Sequence, residues 1–158
     1  MSGSKRWAGI AVVAALITSA TAATKSPAPG DACSLLSKED AAAALGDAAS
    51  GPKLTGPMTD GTGVTVSGCE YTGSGLHRVQ LNLMRLPASA VPMYKQMCAQ
   101  AKSDGLAGLG DLACWYNDKH EELHVMKGTA FVSIELRRDG NPTEPIKAVM
   151  KKAVAKLK

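Results

Sequence analysis

The sequence predicts an α+β domain built on a single antiparallel sheet of about five or six strands with three packed helices. Two kinds of pattern support this class. Several segments alternate apolar and polar residues and are joined by glycine-containing turns, whereas three others carry apolar residues at helical spacing. A helix precedes each set of strands and a third ends the chain, so the two halves share a layout although not their residues.

The first helix is indicated by residues that favour its two ends. Ser37 can cap its start, Asp40 three residues later completes something close to a capping box, and Gly46 is a natural stop. Residues 46–63 are rich in Gly, Pro, Asp and Thr. They predict a loop, with at most a short strand near residues 53–55.

The first hairpin is predicted by two alternating segments. Residues 64–71 form one strand, in which the apolar phase slips at Gly68, and a glycine at a phase slip predicts a bulge. Residues 72–75 form a turn. Residues 78–83 then alternate cleanly, as expected for a half-buried antiparallel strand whose polar residues face solvent.

The second half begins with a helix capped by Ser89 and ending near Gly105, followed by the connection 105–110. Strands are predicted at residues 112–116, 123–125 and 130–137. Thr143 can cap the last helix. One side of that helix is apolar (Ile146, Val149, Met150, Ala153 and Leu157), and the rest is basic (Lys147, Lys151, Lys152, Lys156 and Lys158).

Residues 1–22 are predicted to be a cleaved signal peptide. Lys5 and Arg6 precede a short apolar run, and residues 20–22 (ATA) fit a cleavage site, whereas an uncleaved anchor needs a longer apolar run. Residues 23–30 form a flexible leader, and residues 31–158 one domain. The expected location is therefore the periplasm or the cell exterior.

Charge and composition make a nucleic-acid partner unexpected. Loss of Lys5 and Arg6 with the signal peptide lowers the formal charge from +4 to +2, and aromatic residues make up only 4% of the chain. A nearly balanced charge gives little attraction to phosphate backbones, and few rings are present to stack on bases.

The four cysteines, Cys33, Cys69, Cys98 and Cys114, predict two disulfides, because an even number in a small exported domain is typical of such bridges. Four cysteines allow three pairings, and spacing alone does not choose among them. We favour Cys33–Cys69 with Cys98–Cys114, since each pair would tie a helix to a nearby strand. A zinc-thiolate site is disfavoured, because the close CxxC pairs are missing.

Residues 120–124 (HEELH) match the zinc-protease pattern, in which His120 and His124 bind the metal and Glu121 is the general base. Glu144 would be a third ligand. A turn before the segment and Gly128 after it leave room for about two helical turns. We favour a strand, in which the two histidines would still share a face while Glu121 points to the other side.

Several sequence features resemble a group of small exported bacterial proteins of unknown function with a C-x-L-L … C-x-Y frame. The resemblance is carried by residues 33–36 (CSLL), 45–46 (LG), 68–72 (GCEYT), 108–113 (GLGDLA) and 123–128 (LHVMKG). It implies the Cys33–Cys69 pair, a strand at residues 121–127, and a layout similar to the PsbP-like α/β/α sandwich. The group provides no activity or site residues to transfer.

The leading functional hypothesis is a non-enzymatic exported domain that binds an unknown envelope protein or a small ligand, without a cofactor. The alternative is a zinc-dependent hydrolase using His120, Glu121 and His124. A third hypothesis is contact with an anionic membrane through the C-terminal lysines. We favour a solvated lysine face, because the opposite side of that helix is needed for the core.

Overall fold

The computed structural model describes residues 31–157 and confirms the predicted class: an open, six-stranded antiparallel sheet with packed helices. The predictions for residues 1–30 lie outside the described residues. The elements in chain order are α1 (Ala32–Leu35), α2 (Lys38–Leu45), β1 (Ser50–Thr59), β2 (Thr65–Thr72), β3 (Arg78–Arg85), α3 (Val91–Ala99), β4 (Leu112–Trp115), β5 (Glu122–Lys127), β6 (Ala130–Arg137) and α4 (Thr143–Ala155).

The strand order in the sheet is β1-β2-β3-β6-β5-β4. Each half of the chain therefore forms a three-stranded meander. The two meanders join through β3 and β6, which pair continuously from Arg78 opposite Arg137 to Arg85 opposite Ala130. The two meanders lie side by side in one sheet, and the strands of the second meander are in the reverse spatial order to those of the first.

One side of the sheet, the covered face, packs against α1, α2 and α4. Its strand residues are almost entirely apolar and buried because they lie beneath these helices. They are Cys69, Tyr71, Val79, Leu81, Leu83, Ala113, Trp115, Leu123, Val125, Val132, Ile134 and Leu136. The predicted apolar stripe of α4 is buried against them. This face holds the main hydrophobic core.

The predicted ends of α2 are confirmed. The Ser37 hydroxyl accepts a hydrogen bond from the Asp40 N–H at 3.1 Å, and Gly46 has a left-handed φ of 77° with its N–H bonded to the Ala42 carbonyl. The preceding helix α1 was not predicted. Its four residues are too short to show periodicity, and Asp31 caps it.

The strand suggested near residues 53–55 is present but longer than predicted: residues 50–59, within the segment predicted as a loop, form the edge strand β1. Apart from Leu54, which packs on the core, its residues are exposed, so apolar alternation is missing from the sequence. Its register with β2 shifts twice, at the segments that contain Pro52 and Pro57. An edge strand tolerates proline because one of its sides needs no ladder hydrogen bonds.

The predicted bulge at Gly68 was wrong, because β2 pairs with β3 in continuous register from Thr65 to Thr72. The apolar phase slips for another reason. Val66 packs in a small cluster on the second side of the sheet, whereas Cys69 and Tyr71 belong to the covered face. A strand that contributes apolar residues to both faces changes phase without an extra residue.

Helix α3 lies on that second side, which we call the open face, and it is shorter than predicted. It spans Val91–Ala99 and is preceded by Ala90, which makes no side-chain cap, rather than by Ser89. Cys98 is its one buried residue. Tyr94 packs on Phe131 with ring centroids 5.0 Å apart.

Two disulfides tie helices to the two faces. Cys33–Cys69 joins α1 to β2 within the main core, and Cys98–Cys114 joins α3 to β4 on the open face. These are the pairs that the sequence analysis favours. Each one fastens a short helix, and in α3 the cysteine is the one buried residue.

Candidate binding site on the open face

The open face consists of four rows of side chains that run across the strands, as the strand register defines them. The apolar row is Met58, Val66, Met84, Phe131, Met126 and Leu112. The central row is Thr55, Gly68, Asn82, Ser133, His124 and Cys114. The charged row is Lys53, Glu70, Gln80, Glu135 and Glu122. The arginine row is Thr72, Arg78 and Arg137. Polarity thus increases steadily along the strands.

Helix α3 covers only part of this face. Tyr94 packs on Phe131 in a tilted arrangement and its hydroxyl contacts the Met84 sulfur at 3.7 Å, so the apolar row is sheltered except at its β1 end, where Met58 is 64% exposed. The disulfide extends this cover to the β4 end of the central row, where Cys114 and His124 are buried. The rest of the central row and the two rows beyond it have no described helix above them.

Hydrogen bonds between side chains order the uncovered part of the central row. The Gln80 amide nitrogen donates to the Asn82 oxygen at 3.2 Å, and the Asn82 nitrogen donates to the Ser133 hydroxyl at 3.3 Å. Ser133 is itself buried. This chain fixes the orientation of the amides, so that their remaining donors and acceptors are preorganised for a ligand.

Gly68 forms the floor of a cleft in this part of the face. The cleft has a volume of about 130 Å³ and is lined by polar side chains that include Thr55, Glu70 and Asn82. A Cβ atom placed on Gly68 would lie 3.1 Å from the Asn82 oxygen. The missing side chain therefore creates the depression, and any larger residue here would fill it.

The charged and arginine rows are connected by ion pairs. Arg78 contacts Glu135 at 3.1 Å through Nη2 and Glu70 at 3.7 Å through Nη1, and Arg137 Nε contacts Glu135 at 2.6 Å. Glu135 thus serves both guanidinium groups. These pairs are half-exposed, so they order the surface more than they stabilise the fold.

His77 connects three segments at the end of the sheet. Its Nδ1 lies 3.1 Å from the Asp47 carboxylate after α2, and its Nε2 lies 3.3 Å from Asp139 after β6. Asp47 also accepts hydrogen bonds from the Ser74 hydroxyl and N–H. These bonds, above all the one from the Ser74 hydroxyl, lower the pKa of Asp47.

The HEELH segment does not form the helix that a zinc-protease motif requires. His120 precedes β5, has a left-handed φ of 56°, and stacks on Trp115 of the covered face with ring centroids 4.5 Å apart. His124 lies in β5 on the open face, with Nε2 2.8 Å from Glu122, between Tyr116 and Phe131. The two rings are therefore on opposite sides of the sheet.

This arrangement overturns two expectations from the sequence. The two histidines were predicted to share a face in a strand, which was wrong because His120 lies outside the strand in a left-handed conformation. Glu144, imagined as a third ligand, instead pairs with Lys147 at 3.0 Å. Within residues 31–157, no three His, Cys, Asp or Glu side chains are grouped as a metal site requires.

Two of the C-terminal lysines take part in packing between helices. Lys152 donates to Asp40 of α2 at 2.5 Å, and Lys156 donates to the Leu35 carbonyl of α1 at 3.1 Å. The contact with Lys152 is the largest cause of a lowered pKa at Asp40. These lysines hold the three helices of the covered face together at their outer surface.

One sequence pattern points to this site, namely the polar residues that alternate with apolar ones in β3. Arg78, Gln80 and Asn82 were expected to face solvent, and all three belong to the open face. Their neighbours in the rows come from strands whose register depends on long-range pairing. Local sequence patterns therefore do not predict that these residues are neighbours in the sheet.

Comparisons of the chain with protein-family models, with curated proteins and with solved structures found no match. Among the described helices, none is both long enough and apolar enough to cross a membrane. The geometry of the open face is therefore the basis on which a function can be argued.

Proposed function

We propose that the chain is an exported, non-enzymatic domain that binds a partner or a small ligand of the cell envelope on the uncovered part of its open face. One observation carries this proposal. Helix α3 shelters the apolar row apart from Met58 and leaves a hydrogen-bonded polar surface around the Gly68 cleft. Recognition surfaces combine such fixed polar groups with a concave floor.

The proposal assigns no chemical step to this surface. Its acidic and basic side chains are held in contact with one another, as in the pairs of Glu135 with Arg78 and of His124 with Glu122. A catalytic acid or base needs a proton position that is open to substrate. Groups held in this way are better suited to positioning a ligand than to moving its protons.

Export is the second part of the proposal. The two disulfides support it, because disulfides persist mainly in oxidising compartments outside the cytoplasm. Residues 1–22 would be removed, which places the mature chain in the periplasm or outside the cell. The same setting suits the proposed grouping with the small exported proteins that carry the C-x-L-L … C-x-Y frame.

Native mass spectrometry of the protein purified from the envelope of its own host tests both parts. The chain should begin at Ala23, within a residue or two, have both disulfides oxidised, and carry an additional bound mass. A chain that retains residues 1–22 would contradict cleavage and export. A chain without any bound species would contradict the binding proposal.

A matched pair of glycine variants tests where the bound species lies. Gly68→Val fills the cleft and should remove the bound mass. Gly61→Val is the control, because no atom lies within 4 Å of a Cβ placed at Gly61. Both variants should melt near the temperature of the unmodified protein. Retention of the bound mass by folded Gly68→Val would contradict the assignment to the open face.

A further inference from the structure

A second cleft, of about 470 Å³, lies where the arginine row ends, and we call it the arginine cleft. It is formed by the β2–β3 turn and the residues that end β6. Its lining residues are Thr72, Gly75, Leu76, His77, Arg78, Arg137, Arg138 and Asp139. The volume lies within the range of sites that hold small organic molecules.

The guanidinium groups of this cleft have many N–H donors without an acceptor. Arg137 uses only its Nε, which donates to Glu135, and its two Nη atoms have no hydrogen-bond partner among residues 31–157. Arg138 donates to the carbonyl oxygens of Asp139 and Ala44. A guanidinium has five N–H donors, so most of those on Arg137 and Arg138 remain available.

Three carboxylates, Glu70, Glu135 and Asp139, match the three arginine charges of this region in number but leave part of the guanidinium donors unused. Arg78 and Arg137 are directly opposite each other in β3 and β6, an unfavourable pair of like charges that Glu135 bridges. Arg138 adds a third positive charge. Within the described chain it contacts carbonyl oxygens but no carboxylate within ion-pair distance.

The nearby carboxylates are directed to other partners. Glu70 contacts Arg78, and both Asp47 and Asp139 contact His77. Among residues 31–157, none of them bonds to the Nη atoms of Arg137 or pairs with Arg138. An incoming oxyanion would find donors that the protein itself leaves unused.

Two further features describe the ligand. Leu76, at the tip of the turn, is 91% exposed, so an apolar side chain lies beside the cationic groups. A neighbouring cleft of about 430 Å³ shares Arg137 and Arg138 and adds one cation and one carboxylate, Lys119 and Glu121. The two clefts together provide a longer surface that is centred on the two arginines.

The Asp47–His77–Asp139 contacts connect segments that border the arginine cleft. They join the residues after α2, the β2–β3 turn and the residues after β6, the last two of which line the cleft. A cleft that is ordered before binding costs less conformational entropy when a ligand enters.

We propose that the arginine cleft binds a phosphate group whose carrier places an apolar portion against Leu76. The free donors of Arg137 and Arg138 suit phosphate, because phosphate offers more acceptor oxygens than a carboxylate and accepts paired donors from arginine. The carrier is either a phospholipid headgroup in a membrane or a soluble phosphate ester. The inference rests on the proposed function and assigns a ligand class to the end of the open face.

Titration of the full mature protein tests this inference. The probes are inorganic phosphate, a short-chain phosphatidylglycerol kept below its micelle concentration, and vesicles of phosphatidylglycerol or phosphatidylcholine. The variant is Arg137→Ala, whose side chain is 64% exposed. The control is Arg85→Ala, which removes the same charge at the opposite end of β3.

We expect Arg137→Ala to weaken phosphate binding about tenfold or more, because one or two charge-assisted hydrogen bonds are lost. Arg85→Ala should leave phosphate binding unchanged. Binding of soluble phosphates alone supports a soluble ester. Binding of phosphatidylglycerol vesicles but not phosphatidylcholine vesicles, lost in Arg137→Ala, supports a headgroup.

Equal affinities of the unmodified protein and Arg137→Ala, or binding of none of the probes, would overturn the inference. Acetate competing as well as phosphate would overturn the assignment to phosphate. None of these results decides the binding proposal for the Gly68 cleft, because that proposal is read from the bound mass in Gly68→Val. The two can therefore fail separately.

Discussion

The two faces of the sheet differ in what covers them and in what their side chains do. Three helices pack on the covered face, whose strand residues are apolar and buried. The open face has one helix with a single buried residue, and its rows change from apolar to arginine along the strands. Each strand of the central pair supplies both faces through alternate residues, so the core and the proposed binding surface are encoded in the same segments.

Removal of the disulfides is expected to change the free energy of unfolding more than any other substitution proposed for the two faces. Replacing Cys33 and Cys69 by alanine should lower the free energy of unfolding by about 4 kcal/mol, because the bond closes a 36-residue interval and lies in the core. Replacing Cys98 and Cys114, which are 16 residues apart, should cost about 3 kcal/mol or less. Urea denaturation measures both values.

Hydrogen exchange sharpens the same comparison. Loss of Cys98–Cys114 should release the amides of α3 while those of β6 stay protected, because α3 has few other buried contacts. Loss of Cys33–Cys69 should lower protection throughout the sheet. An equal loss of protection in α3 and β6 after removal of Cys98–Cys114 would show that the faces are not energetically distinct.

Substitutions at two adjacent residues of β3 compare how much each face contributes to the free energy of unfolding. Leu81→Ala removes a fully buried side chain and should cost about 3 kcal/mol, whereas Gln80→Ala on the open face should cost less than about 1 kcal/mol. Urea unfolding of the two variants gives the difference. Similar losses would contradict the division of roles between the faces.

The smallest effect is expected from the ion pair at the outer surface of the covered face. The contact with Lys152 lowers the pKa of Asp40, so the ionised carboxylate stabilises the fold. That contribution is complete above the ordinary pKa of 3.8 and is lost as the pH falls through the lower folded pKa. At neutral pH it should be at most about 1 kcal/mol, because Lys152 is exposed.

Lys152→Ala should therefore reduce stability slightly at neutral pH and flatten the loss of stability between about pH 5 and pH 2. Lys151→Ala is the control, because Lys151 is next to Lys152 in the chain but its side chain makes no ion pair with Asp40 in the described structure. The prediction is tested by measuring the urea midpoints of the unmodified protein and both variants across this pH range. Parallel curves for both variants would show that the pair has no role in acid stability.

The sequence predicted the covered face well because burial leaves a clear pattern. The alternation in β3 and β6 and the stripe of α4 directly record which side faces the helices. The edge strand β1 was predicted only as a short segment, because an exposed strand has no such alternation. The phase slip at Gly68 was misread because one strand contributed apolar residues to two faces.

The candidate site was less predictable than the fold for a physical reason. Its rows join residues from four or more strands, and the order of those strands depends on the pairing of β3 with β6. His120 shows a second limit. Strand periodicity predicted that His120 lies on the same face as His124, but its left-handed backbone conformation places the His120 ring on the other side of the sheet. Neither the strand order nor a single backbone exception leaves a local sequence pattern.

The composition of the edge strands has a consequence for self-association. A free edge is a template on which another copy can add a strand and start a fibre. Pro52 and Pro57 lack the N–H that such a strand would need, and Lys53 places a charge between them. At the other edge, β4 has four residues and is bridged at Trp115 by Lys102. Both edges are therefore poor templates for the addition of a strand from another copy, so the fold itself opposes the growth of fibres through its sheet edges.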